Sequence, residues 1–439
     1  MCLRYLLAML LCCSSVVAQQ RTERSPAHAR NVIFLIGDGM GEQEIALARN
    51  YQVGAAGRLT MDKLPITGVA TTYSLQEKDP AKPDYVTDSA AGATAWTTGH
   101  KTSNGRISTA AGTNAVLKTI LEIAQERGYR TGNITTAELT DATPAALAAH
   151  ENDRRCEGPS DMARCPQFKT DAGGPGSIAE QLVDHKIDVL LGGGRRRFAQ
   201  TITSGALQGK TVVAKAEQLG YRVVSNEEQL KEAKPGTRLL GLFSAGNMSL
   251  EWAGEAAAPY PGSGPQRCRE DQRKQEEPAL AEMTRVALRL LARPGERGFF
   301  LQVEGAQIDK QAHAAHPCEQ IGETVAFDAA IKVALEFATR TPGTLVIVTA
   351  DHGHSTQIIP QTTEADHPQG PISALMTNEG APMYVLYGTN EACCKADHIM
   401  SHTGVPVRVE ATGPGAAALY GVHDMTDVFH VMAKALGAE

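Results

Sequence analysis

Three apolar runs that each end in acidic or imidazole side chains constrain the fold of this chain more than any other feature. Residues 31–38 read NVIFLIGD, residues 299–304 read FFLQVE and residues 344–352 read TLVIVTADH. Continuous apolar runs of this length are typical of parallel strands that are buried on both faces. In an open α/β sheet, the ligand site lies just outside the carboxyl ends of such strands. The sequence therefore predicts one sheet edge at which these terminal side chains meet.

The rest of the chain alternates between strand-like and helix-like segments. Further strands are predicted at Tyr129–Ile134, Val189–Leu191 and Leu239–Phe243, with helices at 114–127, 278–292 and 321–340. This alternation predicts an α/β fold, a three-layer sandwich with a largely parallel central sheet and helices on both faces. Residues 250–277 are rich in Pro, Gly and charge and are predicted to form a surface loop. The stretch 355–401 has weak periodicity and is predicted to be a small insertion over the active site.

The first 18 residues have the pattern of a cleaved signal peptide. Arg4 precedes a short apolar core at Tyr5–Leu11, and Val16–Ala18 supply small residues for cleavage. We therefore expect export to the periplasm or the medium and a single mature domain at 19–439. No run reaches the roughly 18 continuous apolar residues of a membrane span. A lipoprotein anchored at Cys12 is the alternative, although the small residue that such a site prefers does not precede it.

Charge and cysteine content narrow the possibilities further. The net charge is −7 and no basic run is longer than Arg195–Arg197, which argues against a nucleic-acid-binding protein. Without the leader, six cysteines remain, an even number that is compatible with disulfides in an oxidising compartment. We predict the pairs Cys156–Cys165 and Cys268–Cys318. The adjacent Cys393 and Cys394 could form a vicinal disulfide, stay as thiols or bind metal.

Asp309 and His313 have the spacing of metal ligands on a helix. They stand four residues apart, so a helical segment would place both side chains on one face. A catalytic zinc usually has three protein ligands and keeps one position open. His402, in the sequence Ser-His-Thr-Gly, is the candidate third ligand, although an isolated histidine is more often structural or exposed.

Ser89 is the candidate nucleophile. It lies in TDSAAGATAWTTG, residues 87–99, where an Ala-rich stretch favours a helix that begins at Ser89. The first turn of a helix has unpaired N–H groups and a favourable dipole for negative charge, which suits both a serine alkoxide and a phosphate. Taken alone, Asp88 or Ser89 is more often a simple N-cap.

Residues 135–155 supply oxygen and guanidinium groups next to a predicted strand end. Asp141 and Thr143 are hard oxygen ligands of the kind that magnesium takes, or they form a helix cap with Pro144 in the first turn. Arg154 could clamp two phosphate oxygens, although a lone arginine is usually a surface residue.

Several motifs, in order along the mature chain, resemble those of alkaline phosphatases, especially the periplasmic bacterial enzymes. The matching motifs are IGDGMG at 36–41, VTDSAAGATAW at 86–96, TAELTDATPAA at 136–146, LLGGG at 190–194, VEGAQIDKQAHAAHPCEQIGETV at 303–325, TLVIVTADHGH at 344–354 and HTG at 402–404. The resemblance implies hydrolysis of phosphate monoesters through a phosphoserine on Ser89. It also implies two Zn²⁺ and one Mg²⁺ per subunit and a homodimer, with no nucleic-acid or membrane partner.

The resemblance also assigns roles to individual residues. Asp309, His313 and His402 would hold one zinc, and Asp38, Asp351 and His352 the other; Asp38, Thr143 and Glu304 would hold magnesium, with Asp141 acting through water; Arg154 would bind phosphate and Lys310 would reach it through water. Cobalt or another divalent ion could occupy the zinc positions.

Two departures and two rival functions complete the expectations. Ala312 stands where close bacterial relatives commonly have an aspartate, so we expect altered phosphate affinity and pH dependence. The segment before Asn31 is shorter than the dimer-embracing arm of the best-known relatives. One rival is a phosphodiesterase or sulfatase of the same superfamily, and Asp88-Ser89-Ala90 does not provide a formylglycine motif for the latter. The other rival is an inactive metal- or phosphate-binding protein.

Overall fold

The computed structural model describes residues 29–364, 366, 369–388 and 400–438. The predicted signal peptide, Cys393 and Cys394 lie outside these residues. The strands are β1 Asn31–Gly37, β2 Ile66–Thr71, β3 Ser74–Gln76, β4 Asp79–Asp84, β5 Arg130–Glu138, β6 Val189–Gly193, β7 Tyr221–Val224, β8 Arg238–Leu242, β9 Ser263–Gln266, β10 Phe299–Gly305, β11 Thr344–Ala350, β12 Gly353–His354, β13 Thr356–Ile359, β14 Ile372–Met376, β15 Pro382–Tyr387, β16 His402–Thr403, β17 Val407–Thr412 and β18 Gly421–Asp424. The helices are α1 Glu42–Gln52, α2 Ser89–Thr98, α3 Ile120–Glu126, α4 Ala142–Ala145, α5 Ile178–Asp184, α6 Arg195–Phe198, α7 Val212–Gln218, α8 Glu227–Lys231, α9 Leu280–Leu291, α10 Gln307–His313, α11 Pro317–Arg340 and α12 Met425–Ala435.

The central sheet has ten strands in the order β18-β2-β17-β11-β1-β10-β5-β6-β8-β7. All neighbours in it run parallel except at β17, which is antiparallel to both β11 and β2. Helices α9 and α11 pack on the sheet and on each other, whereas α2, α3, α4 and α12 form a second packed group. The predicted α/β fold with a largely parallel sheet is therefore confirmed. Strands β2, β7, β17 and β18 of this sheet were not predicted.

The register of the three central strands sets the height of the site residues. Gly37 of β1 pairs with Gly305 of β10 on one side and with Ala350 of β11 on the other. Asp38 and Asp351 therefore follow the sheet at the same level. Both flanking strands are fully buried, as their apolar runs predict.

Trp96 anchors the helix that begins at Ser89. Its indole is fully buried, lies 5.6 Å from the ring of Phe34 and donates to Gln302 Oε1 at 3.3 Å. Aromatic side chains bury large apolar areas, so this contact fixes α2 against β1 and β10. The start of α2 is thereby held at the edge where those strands end.

A second, four-stranded sheet has the order β13-β15-β14-β9. Three of its strands come from the predicted insertion at 355–401, but β9 comes from 250–277. The prediction of an irregular surface loop there is therefore wrong at Ser263–Gln266, whose backbone pairs with β14. The sequence around this strand is rich in Pro, Gly and charged residues. The strand forms because its backbone pairs with β14, which lies far away in the sequence.

Both predicted disulfides, Cys156–Cys165 and Cys268–Cys318, are present. The main hydrophobic core extends from Ala29 to Leu436, so both ends of the described chain contribute to it. Among the described residues, no helix combines the length and apolar character that crossing a membrane requires.

Candidate active site

Ser89 lies at the sheet edge between side chains of two different strand ends. It is the first residue of α2, and Asp88 caps that helix by accepting the N–H of Ala91 at 2.9 Å. The Ser89 hydroxyl lies 3.3 Å from Asp38 Oδ1 and 3.3 Å from His352 Nε2. Its side chain is nevertheless buried, with 2% exposure, so the hydroxyl is held in a fixed environment.

The first carboxylate–imidazole group surrounds Asp309. Its ligand atoms, from Asp309, His313, His354 and His402, lie within 4.8 Å of one another. His402 Nε2 is 3.3 Å from Asp309 Oδ1, and His313 Nε2 is 3.4 Å from Asp309 Oδ2. Asp309 and His313 lie on α10, as their spacing predicts, and face the same point.

A two-residue pairing brings His402 to this group from far along the chain. Strand β16 pairs with β12 so that His402 stands opposite His354. Because β12 closely follows the carboxyl end of β11, this short sheet brings a histidine from late in the chain to the same edge.

The ring orientations leave nitrogen lone pairs that face the centre of the first group. His313 Nδ1 is bonded to the carbonyl of Met400, and His402 Nδ1 lies 3.0 Å from the carbonyl of Thr87. If each Nδ1 is the donor, each Nε2 is an acceptor, and the two Nε2 atoms are 3.0 Å apart. Two lone pairs at this distance need a cation or a proton between them, and a backbone carbonyl behind each ring is typical of metal-bound histidine.

The second group consists of Asp38, Asp351 and His352. Its ligand atoms also lie within 4.8 Å of one another. His352 Nε2 is 3.3 Å from Asp351 Oδ2 and 3.5 Å from Asp38 Oδ1. Asp351 Oδ1 accepts the N–H of Gly39 at 2.9 Å, which leaves Oδ2 directed at the group.

Glu304 and Thr143 supply a third set of oxygen atoms. Glu304 is buried at the end of β10, and its Oε2 accepts the hydroxyl of Thr135 at 2.5 Å. The charge of Glu304 reaches Asp38 and contributes to the rise of its pKa. Thr143 is the second residue of α4 and is also buried.

Unpaired polar atoms show that these residues suit bound cations. Within the described part of the chain, Asp309 Oδ1, Asp351 Oδ2, Thr143 Oγ1 and His354 Nε2 are buried without a hydrogen-bond partner. Leaving a buried polar atom unpaired costs about 1–3 kcal/mol, so four such atoms at one sheet edge call for a further ligand. Carboxylate oxygens and imidazole nitrogens are ligands that zinc takes, and carboxylate and hydroxyl oxygens suit magnesium.

Burial and mutual repulsion shift the pKa values of these carboxyl groups. Burial raises the pKa of Glu304 to about 8 and that of Asp351 to about 6. Burial, followed by the charges of Asp351 and Asp309, also raises the pKa of Asp38. Without a cation, protonation of these three carboxyl groups is therefore favoured, since charged carboxylates so close together repel one another.

Two cations stand beside the carboxylates at the mouth of the site. Asp141 accepts from Arg154 Nη2 at 3.0 Å and from Lys310 Nζ at 2.5 Å. Arg154 Nη1 also donates to Asp88 Oδ2 at 3.2 Å. Burial favours the neutral form of Asp141, but Lys310 and Arg154 outweigh it and lower its pKa. The guanidinium is thus held in one orientation next to the N-terminus of α2.

The structure brings all twelve predicted site residues to one sheet edge. It also includes His354, which was absent from the predicted ligand set, at 3.5 Å from Asp309 Oδ1. Its place two residues after His352 was the available signal. Asp88 has a second role that was not predicted, because its contact with Arg154 joins residues from different loops.

Comparison with known proteins gives one consistent family. The model of the family described as alkaline phosphatase matches residues 29–401. A streptomycin-6-phosphate phosphatase of Streptomyces griseus is 52% identical over 440 residues, covering 98% of this chain and 96% of that protein. The alkaline phosphatase of Escherichia coli is 49% identical over 432 residues, covering 96% and 88%.

Solved structures show the same fold. The alkaline phosphatase of the Antarctic bacterium TAB5 superposes with a TM-score of 0.70 at 24% identity, covering 94% of this chain and 99% of that one. A variant of that enzyme was solved with Mg bound.

Proposed function

Because this chain belongs to the alkaline phosphatase family and is therefore a metal-dependent phosphate monoester hydrolase, we propose that Ser89 is its nucleophile. The supporting observation is the position of the Ser89 hydroxyl, 3.3 Å from both Asp38 and His352 at the start of α2. In the first step, Ser89 Oγ bonds to phosphorus while the bond from phosphorus to the ester oxygen breaks. In the second step, water attacks the phosphoserine and Ser89 leaves.

We assign the cofactors as two Zn²⁺ and one Mg²⁺. Asp309, His313 and His402 would hold one zinc, and Asp38, Asp351 and His352 the other; Asp38, Thr143 and Glu304 would hold magnesium, with Asp141 acting through water. When bound, such ions supply the Lewis acidity that stabilises the entering and leaving oxygens. In this assignment His354, whose Nε2 lies 3.5 Å from Asp309 Oδ1, orients that carboxylate.

Arg154 and Lys310 bind the phosphoryl group in this proposal. Asp88 and Asp141 hold the guanidinium in place before substrate arrives, which lowers the entropy lost on binding. A guanidinium can donate two parallel hydrogen bonds to phosphate oxygens, and Lys310 adds positive charge through water. The two cations attract a dianionic monoester more strongly than a diester or a sulfate ester, each of which carries a single negative charge.

The decisive experiment compares p-nitrophenyl phosphate, bis-p-nitrophenyl phosphate and p-nitrophenyl sulfate as substrates. We expect strong preference for the monoester and a loss of kcat of about 10³-fold or more in Ser89→Ala, since the nucleophile is removed. Ser225→Ala, at a half-buried serine between β7 and α8, is the matched control. Radioactive phosphate should label the wild type and not Ser89→Ala. Preference for the diester or the sulfate would move the function to a sibling family.

A narrower substrate class is the second candidate. The Streptomyces griseus relative is named for streptomycin-6-phosphate. Beside Arg154, a groove is lined by polar side chains, among them Asp153, Arg155 and Glu157, which offer hydrogen-bond partners to a polar leaving group. A kcat/KM for streptomycin-6-phosphate above that for p-nitrophenyl phosphate would support this class. A much lower value would leave the chain a general phosphomonoesterase.

We further propose that residues 19–439 form one exported domain that dimerises, with 355–401 as its insertion. The two disulfides support an oxidising compartment, the periplasm or the medium. Tyr85, Val86 and Val405 are exposed apolar side chains near the active site and support a partner surface. Sedimentation should give twice the chain mass, and Tyr85→Ser with Val405→Ser should lower the dimer fraction.

A further inference from the structure

Three metal-ligating side chains meet away from the active site. Glu122, His150 and His185 come from three separate segments, and their ligand atoms lie within 4.8 Å of one another. Glu122 Oε1 is 3.3 Å from His150 Nε2 and 3.9 Å from His185 Nε2. We call this cluster the flank site.

The carboxylate of the flank site is held by the start of α3. Thr119 and Glu122 form a capping box, in which Glu122 Oε2 accepts the N–H of Thr119 at 2.8 Å. This contact occupies one carboxylate oxygen and directs the other, Oε1, at the two imidazoles.

The ring of His150 is oriented from behind. Its Nδ1 lies 3.0 Å from the carbonyl oxygen of Ser108, so that a neutral ring donates there and turns the lone pair of Nε2 toward Glu122. Two acceptors facing each other are unfavourable unless a proton or a cation lies between them. A carbonyl behind the ring is also the arrangement that fixes metal-bound histidine.

The same helix fixes both histidines relative to each other. His185 directly follows α5, and Gln181 of α5 accepts the N–H of His150 at 2.8 Å through its side chain. Burial lowers the pKa of His185, although the charge of Glu122 opposes the shift, and this favours the neutral ring that a metal ion binds. The His185 and Glu122 side chains are 23% and 22% exposed, which gives an ion access from solvent.

We propose that the flank site binds one zinc ion through Glu122, His150 and His185. Ligand atoms of a tetrahedral zinc lie about 3.3 Å apart, because each is about 2.0–2.1 Å from the metal. The distance from Glu122 Oε1 to His150 Nε2, 3.3 Å, matches this separation. The distance from Glu122 Oε1 to His185 Nε2, 3.9 Å, would have to shorten slightly when the ion binds. One carboxylate and two imidazoles leave the exposed fourth position to water.

The bound ion links α3, α5 and the segment that leads to Arg154. His150 lies four residues before Arg154 in the sequence. An ion that binds only the folded chain stabilises it by mass action, and more so as its concentration rises. The flank site is thus structural, and none of its three ligands belongs to the active-site groups.

Counting zinc in matched variants tests the proposal. Wild type, His185→Gln and Glu122→Gln are saturated with zinc sulfate and magnesium chloride, desalted and analysed by elemental mass spectrometry. Glutamine at position 122 can still accept from Thr119, so it removes the charge and keeps the helix cap. His423→Gln is the control, because His423 has a carboxylate neighbour, Asp427, at 3.6 Å.

We expect one zinc fewer per chain in both flank-site variants and an unchanged count in His423→Gln. The kcat/KM for p-nitrophenyl phosphate should stay within twofold of wild type, and added zinc should raise the Tm of wild type more than that of either variant. Equal zinc counts in all four proteins would overturn the proposal. So would a lost zinc that is accompanied by lost activity, since that ion would belong to the active site.

Discussion

At the scale of single residues, Ala312 affects the charge around Lys310, one of the two cations that we propose bind phosphate. It lies on α10 between Lys310 and His313 and is fully buried. Because alanine has no carboxylate, position 312 offers Lys310 no ion pair, and Lys310 donates its hydrogen bond to Asp141. The pKa of Lys310 is raised because Asp141 and Asp38 outweigh burial, so its positive charge persists at alkaline pH.

Ala312→Asp should weaken phosphate binding. A carboxylate in this buried position would compete with phosphate for interaction with the positive charge of Lys310. We therefore expect the Ki of inorganic phosphate to rise by about tenfold, a loss of about 1.4 kcal/mol of binding free energy. The pH dependence of kcat/KM should change as well. Ala312→Asn is the matched control of equal size without charge. Identical constants in the Asp and Asn variants would contradict the electrostatic explanation.

At the scale of elements, the two disulfides secure different parts of the molecule. Cys268–Cys318 links the segment after β9 to the first turn of α11, with a sequence separation of 50. Cys156–Cys165 has a separation of only 9 and begins two residues after Arg154. The longer loop loses more entropy when it is closed in the unfolded chain.

Removing each disulfide should therefore affect different properties. Replacing Cys268 and Cys318 by alanine should lower the free energy of unfolding by about 2–4 kcal/mol with little change in kcat. Replacing Cys156 and Cys165 should instead raise KM by about tenfold, because the orientation of Arg154 depends on that loop. Denaturant unfolding and steady-state kinetics measure the two effects. A larger KM effect from the Cys268–Cys318 pair would refute this division.

The short pairing of β12 with β16 completes the first carboxylate–imidazole group, which surrounds Asp309. It places His402 opposite His354, although the two residues are far apart in sequence. Two paired residues contribute little stability by themselves, so this contact depends on the neighbouring ligands and on the ion that they would share.

At the scale of the whole molecule, the buried carboxylates make stability depend on metal and pH together. In the metal-free protein the pKa values of Glu304 and Asp351 are about 8 and about 6, above their ordinary values. A carboxyl group with a raised pKa binds a proton in the folded state that it has lost in the unfolded state. The stability that these two groups contribute is therefore lost as pH rises from about 4 to about 8.

Metal removal should consequently cost more at alkaline pH. Bound cations neutralise these carboxylates, so the difference in Tm between the metal-loaded and the EDTA-treated protein should widen from about pH 5 to about pH 8. Calorimetry across this range measures it. In Glu304→Gln, the widening above about pH 6 should be smaller, since one titrating group is gone. A constant difference in Tm would show that the carboxylates do not govern the metal dependence.

Local sequence determined the fold class, the disulfide pairs and the positions where ligands leave the sheet. Apolar runs predict β1, β10 and β11 because a strand buried on both faces needs no polar positions. An acidic residue after such a run reaches the carboxyl edge whatever the rest of the chain does. The start of α2 at Ser89 is local as well, since the Asp88 cap and the Ala-rich stretch that follows specify it.

Tertiary structure alone decided the features that depend on distant partners. β17 runs antiparallel inside the sheet, and β9 pairs with the distant strand β14, so neither shows a strong local pattern. The approach of His354 to Asp309, the contact of Asp88 with Arg154 and the flank site each join separate segments. Their physical reason is common to all three: hydrogen bonds and charges act over a few ångströms in space, and sequence spacing records those distances only within a single helix or strand.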